Sequence, residues 1–141
     1  MKKNIYTYRR RGFTLLELLV VIGIIGILVA LATVSYSTTQ AAGRDSRRKQ
    51  DLVAMQNALE QYYSANIYVY PATCSLAASY LSSAWPVDPR NVAPYTYVES
   101  PACSTTSYCI CAIMEKNTSG NSTAACNWSG GKTHYCVSNL Q

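Results

Sequence analysis

The chain has 141 residues, room for one domain, and a formal net charge of +5 from 12 Lys and Arg against 7 Asp and Glu. Five of those cations, Lys2, Lys3, Arg9, Arg10 and Arg11, fall in the first 12 positions with no acid among them, and the other seven match the seven acids. A neutral body removes most of the case for phosphate-driven nucleic-acid binding, and the basic cluster reads as a targeting segment instead.

From Phe13 to Ala32 the chain reads FTLLELLVVIGIIGILVALA. At about 1.5 Å per residue this run spans the roughly 30 Å hydrocarbon core of a bilayer. After Glu17 the next charge is Arg44. The leader cations predict a cytoplasmic N-terminus and an external C-terminal body, although Arg44, Arg47, Arg48 and Lys49 follow on the far side. Gly23 and Gly26 permit close helix approach, but their spacing is not that of a G-x-x-x-G dimer motif.

Three accounts fit such a segment: a signal peptide cut after Ala30-Leu31-Ala32, a plain single-span anchor, or a precursor cut before the apolar run and keeping it. Glu17 separates them. A carboxylate in an apolar membrane helix costs on the order of 2.5–3.5 kcal/mol, which neither a signal peptide nor an anchor requires. A cut between Gly12 and Phe13 would create an α-amino group. In a helical stack, Glu17 of one copy would then pair with the Phe13 ammonium of a neighbour and set the assembly register.

The stretch Arg11-Gly12-Phe13-Thr14-Leu15-Leu16-Glu17 resembles the prepilin cleavage motif of type IV pilins and type II secretion pseudopilins. The resemblance implies cleavage after Gly12 by a membrane prepilin peptidase and N-methylation of Phe13. It further implies polymerisation with other copies by way of an inner-membrane assembly platform, with the lipid bilayer as the environment before assembly. One departure is that residues 13–70 contain no proline, so the helix kink of many pilins is not expected.

Leu52, Met55, Leu59 and Tyr62 step by three and four along one helical face, so the helix is expected to continue to about Tyr63, broken at most near Gly43. Asp45 with Lys49 and Arg47 with Asp51 have the spacing of exposed ion pairs, while Arg44 and Arg48 would repel modestly. Residues 1–12 are thus expected to be a cytoplasmic leader, and 13–63 a long helix whose 13–33 stretch spans the membrane or lines a filament core. Residues 64–141 are expected to form a small stapled head.

In the head, Leu76–Leu81 suggests a short helix and the prolines of Trp85–Asn91 a loop. Tyr95–Glu99, Ser107–Met114 and Thr133–Val137 read as strands. The expected fold is therefore α+β, a long N-terminal helix packed on a small antiparallel sheet. The pattern Leu59-x-x-Tyr62-Tyr63, Tyr70-Pro71, Trp85-Pro86-x-Asp88-Pro89 and Tyr95-x-Tyr97 is similar, more loosely, to major pseudopilins and minimal pilins. Calcium, which some of them bind, is not carried over, because after Asp88 the only acids are Glu99 and Glu115.

Cys74, Cys103, Cys109, Cys111, Cys126 and Cys136 lie behind the targeting segment without C-x-x-C spacing, favouring disulfides over a metal site. Their connectivity is open, though Cys109 and Cys111 must share one strand face. Twelve tyrosines read as strand and interface residues rather than a charge or sugar path. The sequons at Asn117, Asn121 and Asn127 read as a polar loop. His134 has no visible catalytic pairing, so no enzyme, cofactor or metal is expected.

The function expected is a structural type IV pilus subunit, with a type II-like pseudopilin as the alternative. A secreted disulfide-rich binding module and a membrane-anchored DNA receptor, using the basic Arg44–Lys49 stretch, are the rivals.

Overall fold

The structure is a computed structural model that describes residues 12–116 and 118–141, with the backbone alone at 34 and 35. The leader cations and the sequon at Asn117 lie outside the described residues. One helix, α1 (Leu15–Ala65), is followed by a 3-10 helix (Cys74–Tyr80) and the strands β1 (Tyr97–Glu99), β2 (Cys109–Ile113) and β3 (His134–Ser138). The result is the α+β arrangement expected, with α1 unbroken at Gly43.

Two compact units divide the chain between Thr38 and Thr39. In the first, every residue from Gly12 to Thr33 is exposed, including Leu15 at 88% and Leu16 at 74%. α1 is long and apolar enough to cross a membrane. Its backbone donors and acceptors bond within the helix, as hydrocarbon requires.

The second unit is built on the later half of α1. Leu52, Met55 and Leu59 are fully buried, and Tyr62 packs at the margin with its ring 5.9 Å from Tyr80. Each buried aliphatic side chain contributes roughly 1.5–3 kcal/mol. They meet Ile110 and Ala112 of β2 and Val137 of β3, one face of the sheet. The sheet is antiparallel in the order β1-β2-β3, with Val98 opposite Cys111 and Cys111 opposite Cys136. β1 and β2 are shorter than their β-rich sequence suggested, and β3 is shifted by one residue at its full expected length; Pro94 and Pro101 bracket β1 and withhold ladder donors.

Polar tethers complete the unit. Gln56 Nε2 donates to the Ser138 carbonyl at 2.8 Å, fixing β3 to α1. Glu60 accepts hydrogen bonds from Tyr70 and Tyr108, both at 2.9 Å, and from the Leu140 amide at 3.1 Å. Burial, and then the adjoining Glu60 carboxylate, push both phenols above their ordinary pKa. Gly120 is required where it stands, because a Cβ there would run into the carbonyls of Lys132 and His134.

Candidate assembly segment

The residues that carry the cleavage motif open α1. Thr14 precedes the first helical residue and has a free backbone N–H to satisfy. Its amide and its hydroxyl both donate to Glu17 Oε2 at 2.9 Å, while the Glu17 amide donates back to Thr14 Oγ1 at 3.2 Å. This reciprocal pair is a capping box, and caps of this kind are worth roughly 0.5–2 kcal/mol. An expectation built on the acid's cost in lipid overlooks Thr14. The signal was present as Thr14-x-x-Glu17, the ordinary spacing of such a cap. Glu17 therefore has a partner within its own chain.

Around this cap there is open space. A Cβ at Gly12 would meet nothing within 4 Å, and Phe13 is 86% exposed. Leu15, Leu16, Leu18, Leu19 and Ile22 line a shallow apolar recess of about 520 Å³ at the start of the helix. Chemically, the segment offers a reachable Gly12–Phe13 peptide, one carboxylate and an apolar surface on all sides.

In the head, the cation stretch Arg44–Lys49 behaves differently from its sequence expectation. Arg48 is fully buried. Its guanidinium donates twice to Asp88, at 2.6 and 3.1 Å, and once each to Asp45 at 2.8 Å and Glu115 at 2.9 Å. Arg44 grips Glu115 with two further bonds at 2.7 and 2.6 Å. Asp45 in turn accepts from the amides of Glu115 and Lys116 and from the Ser119 hydroxyl. Arg44 and Arg48 thus share an acid rather than merely repelling each other.

The expected Asp45–Lys49 pair is absent among the described ion pairs. Asp45 turns inward, and Lys49 lies 5.5 Å over the Tyr135 ring. Arg47 reaches Asp51 only at 3.9 Å. Asp88, read from sequence as part of the Trp85-Pro86-x-Asp88-Pro89 pattern, and Glu115, read only as too sparse an acid for calcium, join Asp45 as the counterions of this network. Bonding to Arg44, opposed by burial and aided by Arg48, holds the Glu115 carboxyl down to about 2. Burial raises Asp88, but Arg48 and the Arg90 amide more than offset it, leaving that carboxyl below its usual value. With Arg48 buried and Arg44 engaged, only Arg47 of the stretch is openly presented, which leaves little for a nucleic-acid backbone.

The cysteines pair as Cys74–Cys103, Cys109–Cys126 and Cys111–Cys136. Two clusters place three donors together, Cys109/Cys111/Cys126 and Cys74/Glu99/Cys103, but their sulfurs are held in disulfides and offer no thiolate to a metal. Asn121 uses its side chain on the Cys136 backbone, donating to the carbonyl at 3.0 Å and accepting from the amide at 2.8 Å. That sequon is thus occupied structurally. His134 sits in β3 with its Nδ1 2.9 Å from the Thr133 hydroxyl.

Comparison with a family model falls on the same N-terminal region. A family model for the prokaryotic N-terminal methylation motif matches residues 7–33. The type IV major pilin protein PilA of Myxococcus xanthus is 39% identical over 64 residues, 45% of this chain and 29% of that protein. The type II secretion system core protein G of Escherichia coli is 40% identical over 67 residues, 48% of this chain and 46% of its own length. That of Dickeya chrysanthemi is 34% identical over 91 residues, 64% of this chain and 59% of its own length. The chain spans less than two thirds of each of these relatives. No solved structure matches it. With the methylation motif, a long apolar-headed helix and a small antiparallel sheet behind it, the chain is similar to type IV pilins and type II secretion core proteins G.

Proposed function

We propose that this chain is a structural subunit of a type IV pilus, held in the cytoplasmic membrane by the first half of α1 and polymerised out of it. The observation that carries the reading is Gly12-Phe13 directly ahead of, and Glu17 in the first turn of, an apolar helix exposed on every side. A prepilin peptidase cuts after Gly12, Phe13 is methylated, and an assembly platform in the inner membrane passes the subunit into a homopolymer. There the apolar helix exchanges lipid for other copies of itself, so extraction meets little hydrophobic opposition. The N-terminus faces the cytoplasm and the head faces outward, where its disulfides persist. The role is structural and not enzymatic.

On assembly, the Glu17 carboxylate exchanges its bond to the Thr14 amide for the Phe13 ammonium of an adjoining copy. A charge-to-charge contact outweighs a neutral cap in a medium of low dielectric. N-terminal sequencing of fibres sheared from cells tests the reading. A chain beginning at methylated Phe13 is expected, and one beginning at Thr33 overturns it.

A second reading, a pseudopilin of a type II secretion-like system, is favoured by one observation: the 91-residue match to a core protein G reaches beyond α1 into the head. Electron microscopy of cells lacking the chain separates the two. Loss of long surface fibres is expected for a pilus; retained fibres with a secretion defect mark a pseudopilus.

A further inference from the structure

Outside the N-terminal motif, the densest reactive chemistry in the described residues is sulfur. Cys109, Cys111 and Cys136 are buried together on the side of β2 away from α1, with Cys126 half-buried at their edge. Strand alternation puts Cys109 and Cys111 on one face, and the β2–β3 register sets Cys136 opposite Cys111. Cys109 and Cys111 belong to different bridges, yet their Sγ atoms are 3.6 Å apart. Neither sulfur carries a proton, so this is a direct contact and not a hydrogen bond. The half-buried side of the first bridge is also held in unfavourable backbone, with φ of 60° at Ala125 and 52° at Cys126. The third bridge, Cys74–Cys103, stands apart in the main core.

We propose that these four cysteines form a thiol–disulfide exchange centre, in which Cys126 receives an incoming thiol and Cys109 hands the opening on to Cys136. A thiolate of an extracytoplasmic thiol reductant attacks Cys126 Sγ. A mixed disulfide forms, the Cys109–Cys126 bond breaks, and Cys109 leaves as the thiolate. That thiolate already touches Cys111 Sγ and attacks it. The Cys109–Cys111 bond forms, the Cys111–Cys136 bond breaks, and Cys136 leaves with the electron pair and takes up a proton. The second step is an interchange with no net oxidation or reduction, and the only reducing equivalent comes from the incoming thiol.

Run backwards, the same steps resolve an early Cys109–Cys111 link into the two final bridges while the head oxidises. Cys111 and Cys136 are buried beyond reach of an outside thiol, so Cys126 is the only ready way in. The proposal needs the bridges to be formed and does not depend on whether the chain builds a pilus or a pseudopilus.

The test uses the full oxidised chain in detergent micelles, opened briefly with reduced glutathione under native conditions, trapped by alkylation and mapped by mass spectrometry. The expected first product carries glutathione on Cys126, a new Cys109–Cys111 link and the alkyl label on Cys136, with no label on Cys109. Label on Cys109 with Cys111–Cys136 intact overturns the proposal, as does opening of Cys74–Cys103 first or no opening at all. Cys126→Ser gives a second measurement, because it leaves Cys109 free without any reductant. Label divided between Cys109 and Cys136 is expected, and label confined to Cys109 overturns it. If that variant does not fold, the glutathione experiment decides alone.

Discussion

Residues 15–33 of α1 are exposed on every face, whereas residues 45–62 bury Asp45, Arg48, Leu52, Met55 and Leu59 along one stripe. Both stretches are the same continuous helix, and both satisfy their backbones internally. They differ in what their side chains are for. The first has no inside, because its apolar residues run around the whole circumference and its only charge, Glu17, is taken up in the Thr14–Glu17 cap. The second has a definite inside, fixed by an ion network, a tyrosine–carboxylate hub and three disulfides. On the proposed reading, a stretch whose surroundings change from lipid to protein needs a uniform surface, while one that must hold a head in a single pose needs an uneven one.

Replacing Glu17 tests the first region most severely. Glu17→Ala is expected to abolish sheared fibres while the unfolding midpoint of the head stays within about 0.5 kcal/mol of the parent, as for a remote surface change. Glu17→Gln keeps a hydrogen-bonding cap without the charge. If it assembles normally, capping and not pairing with a neighbour explains the acid.

Arg48→Ala is the counterpart in the second region. It strands Asp45, Asp88 and part of Glu115 without their buried cation, a loss expected to cost about 3–5 kcal/mol in denaturant unfolding. Fibre yield would fall only as far as the head unfolds, so an unaltered midpoint would show that the network is not central. Removing the Cys74–Cys103 staple with a double Cys→Ser change is expected to cost about 2–4 kcal/mol by the same measurement.

Acid probes the network without mutation. Glu115 and Asp88 have carboxyl pKa values lowered by folding, so their contribution is present above the ordinary carboxylate range and is lost as pH falls through about 2 for Glu115. Circular dichroism should show the head weakening below about pH 4.5, the upper end of that window. The apolar half of α1 should keep its helicity there. Smallest of all, Tyr70→Phe removes one of the three donors to Glu60 and should cost about 1 kcal/mol. No change in midpoint would mean that Tyr108 and the Leu140 amide suffice.

Much of this was legible from residue order. The apolar run, the acid inside it and the 3-4-3 step from Leu52 to Tyr62 follow from spacing alone, and so did the shared face of Cys109 and Cys111. What escaped are pairings across long separations. Arg48 with Asp88 joins residues 40 apart and Arg44 with Glu115 joins residues 71 apart. Charges on a helix look solvated until something folds over them, so Arg44–Lys49 read as an outer basic patch. The cap was missed for the opposite reason: it was local, but Glu17 stood out so strongly in its apolar setting that Thr14 drew no attention.

Asp45 hangs the segment around Glu115–Ser119 from α1, and Arg48 one turn later holds Asp88. Traction along the helix axis would therefore enter the head through several ionic and amide anchors loaded side by side, on the connecting segments before β1 and between β2 and β3 and not at a free strand end. Links strained in parallel yield together at a high threshold, whereas a sheet peeled from its edge parts one rung at a time.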